Sequence, residues 1–404
     1  MQLELDLIHT LAFGGVALML GYGLRRWIPV LARYNLPAPV LGGLLVAIVL
    51  LCARTQGEIP IKFDTTLQSP LMIAFFTSIG YGASLALLRK GGPQVLLFLV
   101  IATVFAIAQN VLGVAVASAF GLNPLFGVLA GSVTLTGGPA TGLAFAPLFE
   151  QAGVPAAGSV AVAAAMAGII LGGLVGGPVG TWLIERFGAH PTRSAKQAGV
   201  STAGAVQVEV VAASGDSDED AFPVLKSAVM ILVAMWLGSW ISKGFEALGI
   251  TLPATIGAML AGALFRNIDD ATGWFGLSQR TIDTIGVVAL SLFLVLALMT
   301  LKLWELAALA LPLIVNITLQ VVLVVFACRW IVFRAMGRDY EAAVMSGGFI
   351  GFMLGTTANA MAVMGTLAER YGPAPRAFLV APMVGAFFID FTNSLIVTGF
   401  LNIF

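Results

Sequence analysis

Apolar stretches long enough to cross a lipid bilayer recur along the whole chain. The hydrocarbon core of a bilayer takes about 20 mostly apolar residues per helix, and fewer in a short or tilted span. Of the 404 residues, 59% are apolar and 10% are charged, against roughly 25% charged in soluble domains. This pattern predicts a polytopic all-α membrane protein and excludes a water-soluble globule. The ten predicted spans are Leu7–Leu24, Pro39–Ala53, Ser69–Leu88, Val95–Ala119, Ala157–Ile184, Val224–Ile241, Pro253–Phe265, Thr284–Leu301, Leu306–Cys328 and Ala377–Phe400.

The charged, cysteine and histidine residues exclude several classes of protein. Twenty Lys and Arg balance twenty Asp and Glu, so the net charge gives no sign of a nucleic-acid partner. Cys52 and Cys328 lie in apolar stretches, and His9 and His190 lie far apart, which offers no disulfide framework and no metal site built from His and Cys. Neither histidine lies near the middle of a span, so the sequence predicts neither an intramembrane enzyme nor a bound cofactor. The acidic first residues lack the basic region of a signal peptide, so we expect the first span to be retained.

Two further apolar stretches, Leu125–Phe149 and Ala342–Leu367, are rich in Gly, Thr and Pro. Their topology can be judged from the Lys and Arg residues, which favour the cytoplasmic side of a membrane. If both stretches re-enter on their own side, 16 Lys and Arg lie inside and 4 outside; if both cross fully, 9 lie inside and 11 outside. The sequence therefore predicts re-entrant hairpins at about 125–150 and 342–368, with both chain termini outside.

Short matching motifs indicate an internal repeat. The motif Leu-Pro-Ala-Pro-Val at Leu36–Val40 recurs as Leu-Pro-Ala-Thr-Ile at Leu252–Ile256, an offset of about 217 residues that other motifs share. Each half holds five spans and one hairpin, and the odd number of crossings makes the halves antiparallel in the membrane. The predicted domains are a first inverted repeat (1–187), a cytoplasmic linker (188–222) and a second inverted repeat (223–404).

Each predicted hairpin carries hydroxyl or amide side chains beside a break in its helix. Inverted repeats with interrupted helices near the midplane are typical of secondary transporters. Backbone that leaves a helix inside the bilayer has polar groups that protein, water or ligand must satisfy. We therefore interpret the breaks as a ligand site in preference to local caps. The predicted site residues are Thr134, Thr136, Gly137, Gly138 and Thr141 in the first hairpin, and Gly355, Thr356, Thr357 and Asn359 in the second.

A single acidic residue, Asp390, lies in the middle of a predicted span. A carboxylate at that depth is costly unless it is paired or faces a cavity, so an acid there indicates a functional site. Asn393 and Ser394 follow three and four residues later and share its helix face. Three oxygen-bearing side chains on one stripe suit a hard cation such as sodium, or a proton if the carboxylate titrates. The alternative is an Asp that caps a neighbouring hairpin.

The remaining deep polar groups are amides. Gln109 and Asn110 lie in the fourth predicted span, and Asn316 and Gln320 in the ninth. We interpret them as interhelical hydrogen-bond partners. No Lys or Arg lies well inside a span. An anionic solute would therefore be held by hairpin N–H groups, hydroxyls and helix N-termini, together with a bound cation.

At these residues the chain resembles the sodium/glutamate symporter family over essentially its whole length. Similar runs are Pro39–Ala47, Pro70–Phe76, Leu301–Ala307 and Pro382–Asp390. The resemblance implies an inner-membrane carrier with two inverted five-span domains, each with a re-entrant loop, that takes up glutamate with sodium as the coupling ion. It also implies a homodimer in the lipid membrane, in which one part of each protomer moves against a static part. In the first hairpin, where the family has Gly-Gly-His-Gly-Thr, this chain has Gly137–Thr141, Gly-Gly-Pro-Ala-Thr.

The leading hypothesis is sodium-coupled symport of L-glutamate by alternating access. In it, the hairpin tips hold solute or sodium, and Asp390, Asn393 and Ser394 lie at a cation site, with sodium bound at Asp390. One alternative is sodium- or proton-coupled transport of another small carboxylate or amino acid. A further alternative is an ion channel, in which the opposed hairpins would form a filter and conduct without solute.

Overall fold

The computed structural model describes residues 4–55, 61–187, 217–248 and 252–404, which fold into helices apart from an isolated backbone bridge between Glu4 and Lys62. Most of the predicted linker, residues 188–216, lies outside the described residues. The α-helices are α1 (Leu7–Trp27), α2 (Pro29–Arg33), α3 (Ala38–Thr55), α4 (Gln68–Gly82), α5 (Leu85–Lys90), α6 (Gly92–Ala119), α7 (Pro124–Val128), α8 (Gly138–Gln151), α9 (Ala157–Phe187), α10 (Ser217–Glu246), α11 (Ala254–Thr272), α12 (Gln279–Met299), α13 (Ala310–Ala327), α14 (Phe333–Ala335), α15 (Tyr340–Met353), α16 (Thr357–Tyr371), α17 (Pro375–Met383) and α18 (Ile389–Ile403). Four short helical segments of other types join some of them. One is a 3₁₀ helix at Leu303–Leu309, and three are π-helical segments, called π-turns below, at Leu129–Val133, Cys328–Val332 and Val384–Phe388.

Several of these helices are long and apolar enough to cross a membrane. Among the described residues they number six, Leu7–Trp27, Gly92–Ala119, Ala157–Phe187, Phe222–Glu246, Gln279–Met299 and Ala310–Ala335. Large apolar side chains cover their outer surfaces, as at Leu232, Trp236 and Trp240 of α10, each about 60% exposed. Exposed apolar surface of this extent is what a lipid environment accommodates. The chain is an all-helical, multi-pass membrane protein.

Two of the predicted spans are interrupted. Within the span expected at Ser69–Leu88, α4 ends at Gly82 and α5 begins at Leu85. The Ser84 hydroxyl caps α5 by accepting a hydrogen bond from Leu87 N at 3.1 Å. The span expected at Ala377–Phe400 contains the π-turn Val384–Phe388 between α17 and α18. A π-turn adds a residue to the helical turn, so the helix stays continuous but its side chains change face. Hydropathy does not reveal this kind of interruption.

Helix pairs separated by the sequence offset pack in the same way. A Cβ added at Gly21 of α1 would lie 2.1 Å from Ala38 O of α3, and one added at Gly238 of α10 would lie 2.3 Å from Ala258 N of α11. Only glycine permits this close approach of two helix backbones. The first two long helices of each half therefore cross at matching glycines.

The packing between the two halves is reciprocal. A Cβ added at Gly43 of α3 would lie 2.5 Å from Leu298 Cβ of α12, and one added at Gly80 of α4 would lie 2.1 Å from Met259 O of α11. Adding the offset of about 217 residues to Gly43 gives a position one residue from Met259, and subtracting it from Leu298 gives a position one residue from Gly80. The second contact is therefore the counterpart of the first. The α9 helix packs along α8 of its own half and along α15 and α16 of the other. This arrangement brings the two Gly-rich stretches together.

Candidate functional site

The second Gly-rich stretch doubles back on itself. A Cβ added at Gly348 would lie 2.7 Å from Met364 Cγ, and one added at Gly351 would lie 3.0 Å from Ala360 N. One residue number rises as the other falls, so α15 and α16 run antiparallel. They hold 14 and 15 residues, or about 21–23 Å at 1.5 Å per residue. Each arm is shorter than the roughly 30 Å hydrocarbon core.

The first Gly-rich stretch doubles back in the same manner. Asn123 Nδ2 donates to Ala152 O at 2.8 Å at the base, and a Cβ added at Gly142 would lie 2.9 Å from Thr134 Cγ2 near the tip. The incoming arm is α7 with the π-turn Leu129–Val133, and the outgoing arm is the 14-residue α8. Both stretches are thus helix–break–helix segments with short arms.

In the first break the helix is lost at Gly131, whose φ of −102° and ψ of −128° are not helical. The Thr134 hydroxyl donates to Leu129 O at 2.8 Å, which satisfies one carbonyl freed by the break. Gly138 then begins α8 at a φ of +70°, a conformation that favours glycine. Gly137 precedes it, and the buried Thr141 lies one turn into α8. The predicted residues of this hairpin therefore surround the break.

In the second break, α15 ends at Met353 and α16 begins at Thr357. The Thr356 hydroxyl caps α16 by accepting from Asn359 N at 3.3 Å. The Asn359 side chain holds the tip against the rest of the protein, since Nδ2 donates to Ile169 O at 2.7 Å and Oδ1 accepts from Asn35 Nδ2 at 3.3 Å. Thr356 therefore does cap the N-terminus of α16, and this cap lies at the tip of the second Gly-rich stretch.

The two breaks meet. A Cβ added at Gly138 would lie 3.7 Å from Thr356 Cγ2 and 3.8 Å from Gly355 O. The N-terminus of α8 therefore lies beside the N-terminus of α16. Helix N-termini present unpaired N–H groups and the positive end of the helix dipole, so two of them side by side favour an anionic ligand.

Gln109 of α6 links both breaks. Its Oε1 accepts from Thr136 Oγ1 at 2.7 Å, and its Nε2 donates to Met353 O at 2.9 Å. Both contacts are buried, and they connect residues more than 200 positions apart in the chain. The sequence predicted an interhelical hydrogen bond for this amide, which is confirmed, but it did not reveal that the partners are the two breaks.

The segment around Asp390 also contacts both breaks. Thr357 Oγ1 donates to Gly385 O at 2.7 Å, and Asn393 Nδ2 donates to Ser132 O at 3.0 Å. Asp390 lies between these two contacts, in the first turn of α18. Its carboxylate makes no hydrogen bond or ion pair with any other part of the chain that the structure describes. An unpaired carboxylate at such a position can bind a cation.

Asn393 and Ser394 are both buried, and Asn393 is the one that reaches the first break. In the described ranges, no group of three or more His, Cys, Asp or Glu side chains could hold a metal ion. A cation at this site would therefore be bound by Asp390 together with neutral oxygens. Such a ligand set suits a monovalent hard cation better than a transition metal.

A cavity lies beside the second break. It has a volume of about 300 Å³, and its lining includes Arg33, Tyr34 and Asn35 on one side and Asn359 and Thr366 of α16 on the other. Because Asn359 belongs to the tip, one wall of the cavity lies next to the break.

The sequence as a whole matches a known family. Residues 3–373 match the model of the family described as sodium/glutamate symporter. A sodium/glutamate symporter of Escherichia coli (strain K12) is 38% identical over 399 residues, covering 98% of each chain. A sodium/glutamate symporter of Haemophilus influenzae is 39% identical over 389 residues, covering 96% of this chain and 95% of that protein. With this match over nearly its full length, the chain belongs to the sodium/glutamate symporter family.

Proposed function

We propose that this protein carries L-glutamate into the cell together with sodium, by alternating access. The relatives are sodium/glutamate symporters that match almost the whole chain. The observation that carries the proposal is the meeting of the two helix breaks at Gly138 and Thr356, beside a segment that contains the unpaired Asp390. Two facing helix N-termini would bind an anion, and one deep carboxylate would bind a cation.

The proposed architecture consists of two inverted repeats, 1–187 and 223–404, each with five membrane spans and one re-entrant hairpin. It is supported by the reciprocal contacts of Gly43 with Leu298 and Gly80 with Met259, and by the short antiparallel arms of both hairpins. In this arrangement the hairpins enter from opposite faces of the inner membrane, and both termini lie outside. Two such chains form a homodimer, in which part of each protomer moves against a static part.

The solute is proposed to bind between the two tips. Its carboxylates would be held by N–H groups at the starts of α8 and α16 and by nearby hydroxyls, since the chain has no Lys or Arg well inside a span. Thr136 and Thr357 already orient toward neighbouring helices through Gln109 Oε1 and Gly385 O. The proposed solute-binding residues are Thr134, Thr136, Gly137, Gly138, Thr141, Gly355, Thr356, Thr357 and Asn359.

Sodium is proposed to bind at Asp390, Asn393 and Ser394. Glutamate carries a net negative charge at neutral pH, and moving that charge through a low-dielectric region without a counterion is costly. One sodium ion bound beside the tips offsets the charge that glutamate adds to that of Asp390. The fully loaded site then carries the same net charge as the empty site and can cross, whereas the site with glutamate alone carries one more negative charge and cannot. Coupling follows from this difference.

The proposal is tested by uptake of labelled L-glutamate into proteoliposomes that contain the purified protein. We expect uptake to require an inward sodium gradient and to fall at least about tenfold, or about 1.4 kcal/mol, when potassium replaces sodium. Equal uptake in sodium and potassium would contradict sodium coupling.

The same vesicles separate the alternatives. Excess unlabelled aspartate, dicarboxylates or neutral amino acids would compete if the protein carried another small carboxylate or amino acid, and uptake driven by a pH gradient would indicate proton coupling. An ion channel would instead conduct in the absence of solute. The proline and alanine at Pro139 and Ala140, where the family has His and Gly, make the competition series the sharpest test of the solute.

A further inference from the structure

Beside the first helix break, buried oxygens of several side chains lack a hydrogen-bond partner. They are Ser132 Oγ of the π-turn, Asn316 Oδ1 and Gln320 Oε1 of α13, and Asn393 Oδ1 of α18. All four side chains are 0% exposed. An unpaired buried polar atom costs about 1–3 kcal/mol. Four such atoms in one region therefore indicate an occupant that the oxygens bind.

The orientation of the three amides is fixed by their NH₂ groups, each of which donates to a backbone carbonyl. A flipped amide would place its own oxygen against that carbonyl oxygen, so the assignment of oxygen and nitrogen follows from the hydrogen bonds. The unpaired atoms are thus genuine acceptors. The three bonds are Asn316 Nδ2 to Ala130 O at 2.7 Å, Asn393 Nδ2 to Ser132 O at 3.0 Å and Gln320 Nε2 to Gln109 O at 2.7 Å.

The same bonds place the unpaired oxygens around one short segment. Two of the accepting carbonyls, those of Ala130 and Ser132, flank Gly131, where the helix is broken. The third belongs to Gln109, and a Cβ added at Gly131 would lie 3.3 Å from it. Each amide oxygen shares a carbon with the nitrogen that makes the bond, so each lies within one amide group of this segment.

The chemistry of the four oxygens selects a cation. An anion would be repelled by acceptors, and hard cations take hydroxyl and amide oxygens as ligands. The neighbouring Asn110 Nδ2 is an unpaired donor, but with two N–H bonds it can serve at most two of the four acceptors. Because all four ligands are neutral, a monovalent ion fits better than a divalent one, which requires carboxylates. Asp390, one turn before Asn393, supplies the nearest charge along the chain.

We propose that Ser132, Asn316, Gln320 and Asn393 form a sodium-binding cage behind the first helix break. The proposal rests on the proposed sodium-coupled function and adds that the ion is bound mainly by neutral oxygens, on the hairpin and on α13 and α18. Sodium in this cage joins the first hairpin to two other helices. It thereby fixes the broken helix at Gly131, six and seven residues before Gly137 and Gly138, where the solute is proposed to bind.

The test removes one oxygen without breaking a hydrogen bond. Ser132→Ala deletes Oγ, which has no partner, and the backbone groups that contact Asn110 and Asn393 remain. The measurement is the melting temperature of the purified protein in detergent, as sodium chloride replaces choline chloride at constant ionic strength. A ligand that binds the folded state raises this temperature. We expect Ser132→Ala to raise the sodium concentration at half-maximal stabilisation about tenfold, or about 1.4 kcal/mol.

The matched control is Ser346→Ala. Ser346 is as fully buried as Ser132, but its hydroxyl is paired with Ala342 O of its own helix at 2.7 Å. We expect this variant to keep the wild-type sodium midpoint. An unchanged midpoint in Ser132→Ala would overturn the cage, and this is the outcome if the oxygens bind only water.

The experiments can contradict the sodium cage and the proposed symport independently of each other. If the wild type shows sodium-driven glutamate uptake and Ser132→Ala keeps the wild-type sodium midpoint, the cage is wrong and the symport stands. If the wild type shows no sodium-driven uptake, the symport is wrong. Sodium-dependent stabilisation that is weakened in Ser132→Ala and unchanged in Ser346→Ala would still support a sodium site at the first break.

Discussion

Asp390→Asn should abolish sodium-stimulated glutamate uptake while the protein remains folded. Asn has the shape of Asp but lacks its negative charge, and the Asp390 carboxylate has no hydrogen bond or ion pair to any described side chain that the change would break. The charge that attracts sodium is lost, so the cation no longer offsets the charge of glutamate. We expect uptake in a sodium gradient to fall about a hundredfold, or about 2.7 kcal/mol.

The control for Asp390 is the same substitution at a second partly buried acid. Asp283 of α12 accepts a hydrogen bond from Gln279 Nε2 at 2.8 Å, and the Oδ1 atom of an Asn can keep that bond. Asp283→Asn should therefore retain most of the wild-type uptake. Unchanged sodium dependence in Asp390→Asn would assign Asp390 a structural role.

Gln109→Leu should lower glutamate uptake about a hundredfold through the loss of the link between the two breaks. The substitution keeps the volume of the side chain but leaves Thr136 Oγ1 and Met353 O without their partner. Each unpaired group costs about 1–3 kcal/mol, and both lie at the tips between which the solute is proposed to bind. The backbone carbonyl that Gln320 contacts is unaffected.

Gln94→Leu provides the matched control, because Gln94 lies on the same helix α6 and its side chain makes no hydrogen bond to another described residue. It should behave as the wild type. The melting temperature separates loss of the link from unfolding, since Gln109→Leu should reduce uptake at temperatures well below its own melting transition. Wild-type uptake in Gln109→Leu would show that the two breaks act independently.

Much of the fold follows from the sequence because the bilayer imposes strict length and polarity rules. Each of the ten apolar spans contains α-helix, with an interruption in two of them, and the two Gly-rich stretches double back as short arms. The change of face at Val384–Phe388 could not be foreseen, since a π-turn leaves hydropathy unchanged and alters only the angular position of later residues.

The candidate site was predicted in part. Asp390 and Asn393 attract notice because charged and amide groups at depth are costly. The partners of Asn393, Asn316 and Gln320 could not be predicted, because these amides bond to backbone atoms more than 180 positions away, beside a break whose exact residue is set by backbone angles. Ser132 has no sequence signal, since a serine in a Gly-rich helix is ordinary.

The most direct test of sodium–glutamate coupling is the binding affinity of each ligand in the presence of the other. By thermodynamic linkage, two coupled ligands must raise each other's affinity by the same factor. In purified wild-type protein we expect saturating sodium to lower the dissociation constant of glutamate at least about tenfold relative to choline, and saturating glutamate to lower that of sodium equally. Glutamate binding of equal strength in sodium and in choline would contradict the coupling of the two ligands at the paired breaks.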